Sequence, residues 1–316
     1  MRSYDFCGQL LQSDILLPEL LPSHGPAAEW TFRYLETQPP PKYYGAGYHR
    51  WRSANGEVWL QFTKIGDSYL LTFPGLADFV VNDTAEIICY PAENIPRRTI
   101  RHLLLNQVLP LALDKKGQMV LHSSAIETPQ GIIAFLGIAG RGKSTLAASF
   151  AAQGFLLVTD DFLVMQEQDT QWLGTPSYPG IRLWGDVMST IFNGRSSAAR
   201  VAHYSNKLRL SLGAHGLGFC QRVRPIRRLY LLTPVEPNRE ESQQVTIARI
   251  TAREAFMALF MHSFHLDLSD PQRLRDNFQN LSRLAERPLF YSLSYPRELS
   301  LLPRVQAAIL EHLQQP

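Results

Sequence analysis

The stretch GIAGRGKST, Gly137 to Thr145, decides how the rest of the chain is read. Gly137, Gly142, Lys143 and Ser144 match the phosphate-loop pattern G-x-x-x-x-G-K-[ST]. Glycines in such a loop let backbone N–H groups turn inward and approach phosphate oxygens with no Cβ in the way. A helix following the loop directs its positive N-terminal end at the same anion. In this pattern Lys143 neutralises charge on the β- and γ-phosphates, and the Ser144 hydroxyl sits on Mg²⁺. The whole segment, Gly137, Ile138, Ala139, Gly140, Arg141, Gly142, Lys143, Ser144 and Thr145, is therefore the expected ATP cradle. Chance alone produces the pattern in about one chain in a hundred of this length. Its surroundings therefore decide the reading.

Those surroundings fit. Before the loop, QMVLHSSAIE and GIIAFLG read as two short strands joined by a turn at Thr128-Pro129-Gln130-Gly131. After it, STLAASFAAQG reads as an Ala-rich helix with Gly154 as its stop. FLLVTDDFLVM then reads as an apolar strand ending in two carboxylates. Strand, loop, helix and strand in that order indicate a nucleotide-binding α/β core.

Asp160 and Asp161 stand where a carboxylate that organises Mg²⁺ belongs, one helix after a phosphate loop. Adjacent residues on an extended strand point to opposite sides, so the two acids are expected to do different work. Asp160 is the expected general base and Asp161 the expected metal residue or partner of His122. The two roles can be exchanged, because the sequence does not fix which side chain faces the cleft. His122, at the end of the strand before the hairpin, is by spacing alone an ordinary structural histidine.

The bulk numbers exclude several classes. The chain has 316 residues, 45% of them hydrophobic and 19% charged, as in a soluble globular protein. A net charge of +3 gives no electrostatic case for nucleic acid. Cys7, Cys89 and Cys220 are far apart, with neither metal spacing nor a disulfide framework, so buried thiols in a reducing compartment are expected. The opening residues do not read as a signal peptide, and no run approaches the roughly 18 apolar residues of a membrane helix. A cytoplasmic protein is expected, with no nucleic-acid or membrane partner and a homo-oligomer possible in principle.

The first hundred residues or so read as β-rich. EVWLQFTKIGDSYLLTF alternates apolar and polar residues around a turn at Gly66-Asp67, and LADFVVNDTAEIICY does so around Asn82-Asp83. AENIPRRTIRHLLLNQVLPLALDKKG then changes to helical spacing, ending at Lys115-Lys116-Gly117. Toward the C-terminus, helices are expected near Ala252–Phe264, Pro271–Ala285 and Pro303–Gln314, with PLFYSLSYP as a strand. The division expected is a β-rich N-terminal domain over residues 1–95, serving acceptor recognition, and a catalytic domain over 96–316.

Three groups of basic residues lie outside the loop. Lys207 and Arg209 share one face of a strand in NKLRLSL. Arg222, Arg224, Arg227 and Arg228 cluster in QRVRPIRRLY, as a solvated basic edge or a dock for an acidic peptide. Tyr43, Tyr44, Tyr48 and Trp51 interleave with basic residues in YYGAGYHRWR, where core and surface aromatics explain the pattern better than base stacking.

The combination of VLHSSAI, GIAGRGKSTLAASFAAQGFLLVTDDF and PGIRLW resembles the HPr kinase/phosphorylase family. It is most similar to the HPr-kinase-like proteins of bacterial biosynthetic clusters, including the lasso-peptide precursor kinases. The likeness runs from about Asn106 to the C-terminus, and FPGLADFVV and LLLNQVLPLAL resemble the front half of the cluster-encoded proteins. His122, the loop and Asp160-Asp161 match position by position. The resemblance implies an α/β P-loop kinase core of the HPr kinase/phosphoenolpyruvate carboxykinase type, preceded by the smaller β-rich domain. It implies ATP- and Mg²⁺-dependent phosphorylation of a serine-type hydroxyl, with His122 beside the aspartates tuning the proton acceptor. It further implies Lys207 and Arg182 as cations that hold the transferring phosphate. Gly180-Ile181-Arg182-Leu183 stands where the bifunctional enzymes carry Glu-Ile-Arg-Gly, so their metal-holding Glu is missing and phosphorolysis is in doubt. The expected activity is an ATP-dependent kinase acting on a hydroxyl of a peptide, small protein or small metabolite. The alternatives are a nucleotide-binding regulatory module without transfer and a bifunctional HPr kinase/phosphorylase.

Overall fold

A computed structural model describes residues 1–25, 27–37, 49–53, 55–192, 198–212, 216–235 and 244–315. Among them nine strands form a first sheet: β1 (Arg2–Phe6), β2 (Gln9–Ser13), β3 (Leu21–Pro22), β4 (Trp30–Tyr34), β5 (His49–Arg52), β6 (Val58–Ile65), β7 (Ser68–Phe73), β8 (Ala77–Val81) and β9 (Glu86–Pro91). Their order is β3-β1-β2-β4-β9-β8-β7-β6-β5. The alternation read in the sequence is what builds this sheet. On β7, Tyr69, Leu71 and Phe73 are buried while Ser68, Leu70 and Thr72 are half-buried. The turns at Gly66-Asp67 and Asn82-Asp83 join antiparallel pairs, β6 with β7 and β8 with β9. Tyr43, Tyr44 and Tyr48 lie outside the described residues; Trp51 packs edge-on against Phe62.

The connecting helix is not continuous. It comprises α1 (Arg97–Leu103), a π-turn at Leu104–Val108 and α2 (Leu109–Lys115). Pro110 has no N–H to offer the Asn106 carbonyl four residues back, and the helix widens at that turn.

The chain continues with β10 (Met119–Leu121), β11 (Ser124–Thr128), β12 (Gly131–Leu136), α3 (Lys143–Ala152), β13 (Leu156–Thr159), β14 (Leu163–Gln168) and β15 (Gln171–Thr175). Next come β16 (Gly180–Leu183), α4 (Gly185–Phe192), β17 (Ala199–Arg200), β18 (Leu208–Ser211), β19 (Arg224–Leu232) and β20 (Thr246–Arg249). The last elements are α5 (Ala252–His262), α6 (Pro271–Ala285), β21 (Phe290–Ser294) and α7 (Leu302–Leu313). The second sheet runs β10-β14-β15-β19-β12-β11-β13, with β21 beside β19 and β20 beside β21; β16-β18-β17 form a small third sheet. The protein is thus a mixed α/β structure of several sheets.

Two segments expected as single strands are each divided. QMVLHSSAIE breaks at His122-Ser123, so that β10 pairs with β14 while β11 lies between β12 and β13. FLLVTDDFLVM bends at Asp160-Asp161, which separates β13 from β14. Both breaks fall where polar residues interrupt the apolar run.

β12 is buried on both faces, as a continuous apolar run requires. Ile132, Ala134 and Leu136 join one cluster with Val158 and Leu229, while Ile133 and Phe135 join another with Leu146 and Phe150. Because β11 is antiparallel to both β12 and β13, those two run parallel. The end of β12, the end of β13 and the start of β11 therefore share one sheet edge. A third apolar cluster crosses the junction at residues 95/96. It unites Phe6, Trp30, Phe62 and Phe79 of the first sheet with Leu104, Leu109, Phe162 and Phe264. The sheets follow the 1–95 and 96–316 division; the buried core does not. Among the described residues no helix is long and apolar enough to cross a membrane.

Candidate active site

The shared sheet edge gathers polar groups that are far apart in sequence. Gly142, at φ +94°, closes the loop and hands the chain to α3. A Cβ on Gly137 would lie 3.3 Å from the Leu232 backbone oxygen, so loop and sheet approach as closely as glycine permits. The Lys143 side chain is buried, and its Nζ donates to the Gly137 carbonyl at 2.5 Å. The Ser144 hydroxyl hydrogen-bonds the Asp160 carboxylate. A cavity of about 460 Å³ opens over these groups, lined by Ala139 to Thr145, His122, Asp160, Arg182 and Lys207 among others. Gly137 and Ile138 border a neighbouring groove on the other side of the loop.

Asp160 faces this cavity and is 3% exposed. Its Oδ1 accepts from Ser124 Oγ at 3.0 Å and its Oδ2 from the Arg182 backbone N–H at 2.7 Å. Burial raises its pKa, and the Arg182 charge and the hydrogen bonds oppose that rise. His122 lies beside it. Its Nδ1 is 2.8 Å from the Asp161 backbone oxygen. A carbonyl only accepts, so Nδ1 carries the proton and Nε2 keeps its lone pair. Burial, together with the charges of Lys143 and Arg182, holds this histidine neutral, well below the usual range.

Asp161 turns the other way. It is 2% exposed and is not among the residues lining the cavity. The Tyr178 hydroxyl and Asn106 Nδ2 both donate to its Oδ2, and the Arg182 guanidinium pairs with its Oδ1. Its link to His122 runs through the main chain rather than through the carboxylate. The bend after β13 thus separates the two acids, Asp160 toward the phosphate loop and Asp161 into the protein.

The cations divide in the same manner. Among the described residues neither Lys143 nor Lys207 forms a salt bridge. Burial brings Lys143 down to about 8, and it lowers Lys207 too. Lys207 Nζ sits 5.6 Å over the Trp184 ring. Arg182 is brought down to about 10 by burial. Arg224, by contrast, pairs with Glu127 at 2.6 Å, and Arg227 and Arg228 both donate to the Gln315 carbonyl. These three fasten the chain rather than present a free basic edge. Cys7, Cys89 and Cys220 are buried thiols.

Ser144 and Asp160 present adjacent hard oxygen donors, which suits Mg²⁺ held partly by bound phosphate and water. Among the described residues no group of three or more His, Cys, Asp or Glu side chains is placed to hold a metal. Two desolvated lysines without carboxylate partners fit a polyanion beside such an ion.

The sequence reading passed over Ser124, Tyr178, Asn106 and Glu19. Ser124 had a signal, its place in HSSAI at the start of a hairpin. The others had none, because their partners lie 55 or more residues away or belong to another sheet.

No family model matches the chain, and no curated protein matches it. Among solved structures, the Hpr(Ser) kinase/phosphatase from Coxiella burnetii is similar at 12% identity with a TM-score of 0.31. The match covers 62% of this chain and 97% of that one. A superposition that loose carries no argument about function, which rests on the residues and their geometry.

Proposed function

We propose that this chain is an ATP-dependent kinase that transfers the γ-phosphoryl group to a Ser/Thr-type hydroxyl of a peptide, small protein or small metabolite. One observation carries the reading: a phosphate loop with a desolvated lysine shares a cavity with a buried carboxylate and two further cations. The loop N–H groups and Lys143 bind the phosphates, and Arg182 and Lys207 stabilise charge spread over the γ-phosphoryl oxygens. Ser144 Oγ and the Asp160 carboxylate would hold Mg²⁺, which supplies neutralisation of the β- and γ-phosphate charge. Asp160 takes the acceptor's proton as the hydroxyl oxygen bonds to phosphorus and the bond to ADP breaks. Burial strengthens the Asp160 carboxylate as a base, whereas it weakens the His122 imidazole, so Asp160 is the better acceptor. His122 Nε2 lies beside it as a hydrogen-bond acceptor for the incoming group. Asp161 serves Arg182 rather than the metal.

The resemblance of His122, the loop and Asp160-Asp161 to HPr-kinase-like proteins supports a serine-type acceptor, with a peptide from a biosynthetic cluster as the first candidate. Phosphorolysis is not proposed, because Gly180 supplies no carboxylate. The test is incubation with Mg²⁺ and γ-labelled ATP alongside Ser- and Thr-containing peptides, small carrier proteins and hydroxylated metabolites. Label in an acceptor is expected. Tight ATP binding with label in none would favour a regulatory nucleotide binder.

A further inference from the structure

Arg182 and Arg209 stand directly opposite each other across β16 and β18. Like charges in that register repel, and both side chains are largely withdrawn from solvent. Two carboxylates relieve the repulsion from different directions. Asp161 takes the Arg182 guanidinium. Glu19, from the segment before β3, takes Arg209 Nη1 at 2.8 Å and Arg101 Nε at 2.9 Å. Asn106 stands between the two pairs. Its Oδ1 accepts from Arg209 Nη2 at 3.3 Å and from His102 Nδ1 at 2.7 Å, while its Nδ2 donates to Asp161 and to the Tyr178 hydroxyl.

The path Glu19–Arg209–Asn106–Asp161–Arg182 is thus a continuous run of polar contacts from the N-terminal region to the cavity. Its first four members are each less than 10% exposed. Gly180 belongs to the same arrangement, since a Cβ there would point at the Tyr178 ring and the Arg209 side chain. Asn106 sits in the π-turn, where the helix has already departed from regular geometry. Stability alone does not account for such a network, because well-packed apolar groups do as well or better in the same volume. Losing one member, however, leaves a buried charge free to repack.

We infer that Glu19, Arg209 and Asn106 are positioning residues for Arg182, so that the N-terminal region sets the geometry of a cavity cation. The consequence for turnover rests on the kinase reading; the geometry does not.

Two measurements test it. The Glu19→Gln/Arg209→Met variant removes the pair together, which keeps the fold safer than stranding either charge. The first measurement is the rate of phenylglyoxal modification of Arg182, followed by peptide mass spectrometry without nucleotide. A rise of about tenfold is expected, with Arg228, buried elsewhere, unchanged. An unchanged rate at Arg182, or an equal rise at Arg228, overturns the inference whether or not the chain is a kinase. The second is ATP turnover with Mg²⁺ in Glu19→Gln, Arg182→Gln and their combination. Glu19→Gln alone is expected to lose about tenfold in kcat with little change in KM, and to lose nothing further in the Arg182→Gln background. Equal losses in both backgrounds overturn the inference. No turnover in the unaltered protein would defeat the kinase reading, and the modification rates would still decide the positioning claim.

Discussion

The two large sheets of this protein put buried polar groups to opposite use. The interior of the first is chiefly apolar, with Phe6, Trp30, Phe32, Phe62, Phe73 and Phe79 fully or almost fully enclosed. The second encloses Ser124, Lys143, Asp160 and Asp161 at one edge. Strand direction explains the contrast. A meander such as β6 to β9 alternates its strand ends between two edges, so no edge collects several loops. In β12 and β13, two parallel strands deliver a phosphate loop and a carboxylate to the same edge, and β11 starts there too. Ligands bind at the carboxyl ends of parallel strands for this reason. The first sheet is accordingly a scaffold, and chemistry belongs to the second.

The largest expected effect tests the scaffold. Phe79→Ala should lose about 3–5 kcal/mol of stability by denaturant titration while the folded fraction binds ATP as before. Weakened ATP binding by folded protein would break the division of labour. Lys143→Ala should reduce ATP turnover by about 10²–10³-fold with a melting temperature close to that of the unaltered protein, as judged by steady-state kinetics and calorimetry. Collapse of the fold instead would make the buried lysine a structural element. Lys207→Ala should cost about tenfold in turnover, since a second cation shares the phosphoryl charge.

The smallest effect sharpens the electrostatics. Below about pH 8 Lys143 is charged in the free protein; above it the proton that a polyphosphate needs has been lost. ATP affinity should therefore fall as pH rises through about 8, with proton uptake on binding. Titration calorimetry in two buffers of different ionisation enthalpy reads the proton directly. Proton release would contradict the assigned state of Lys143.

Local patterns were legible in the sequence, and long-range partnerships were not. The hairpin, the loop and the Asp160-Asp161 end of a strand could be read because glycine chemistry and apolar runs are local. The helices near Ala252, Pro271 and Pro303 were legible as well, with α5 and α6 opening on the Thr251 and Asp270 caps. The inward turn of Asp161 was not legible, since it depends on a bend that no residue type dictates. Nor was its partnership with Asn106, which the chain separates by 55 residues and the fold rejoins through a π-turn. The split of QMVLHSSAIE was hidden for a related reason. Its two halves are equally strand-like, and pairing partners on different strands pull them apart.

The central claim is that Asp160, and not its neighbour, accepts a proton at the phosphate loop. Asp160→Asn keeps the side-chain shape and the acceptor for Ser124 and the Arg182 N–H. It should bind Mg²⁺-ATP nearly as well as the unaltered protein by calorimetry, while phosphoryl transfer from γ-labelled ATP falls by about 10²–10⁴-fold. Transfer at the unaltered rate in that variant would contradict the account.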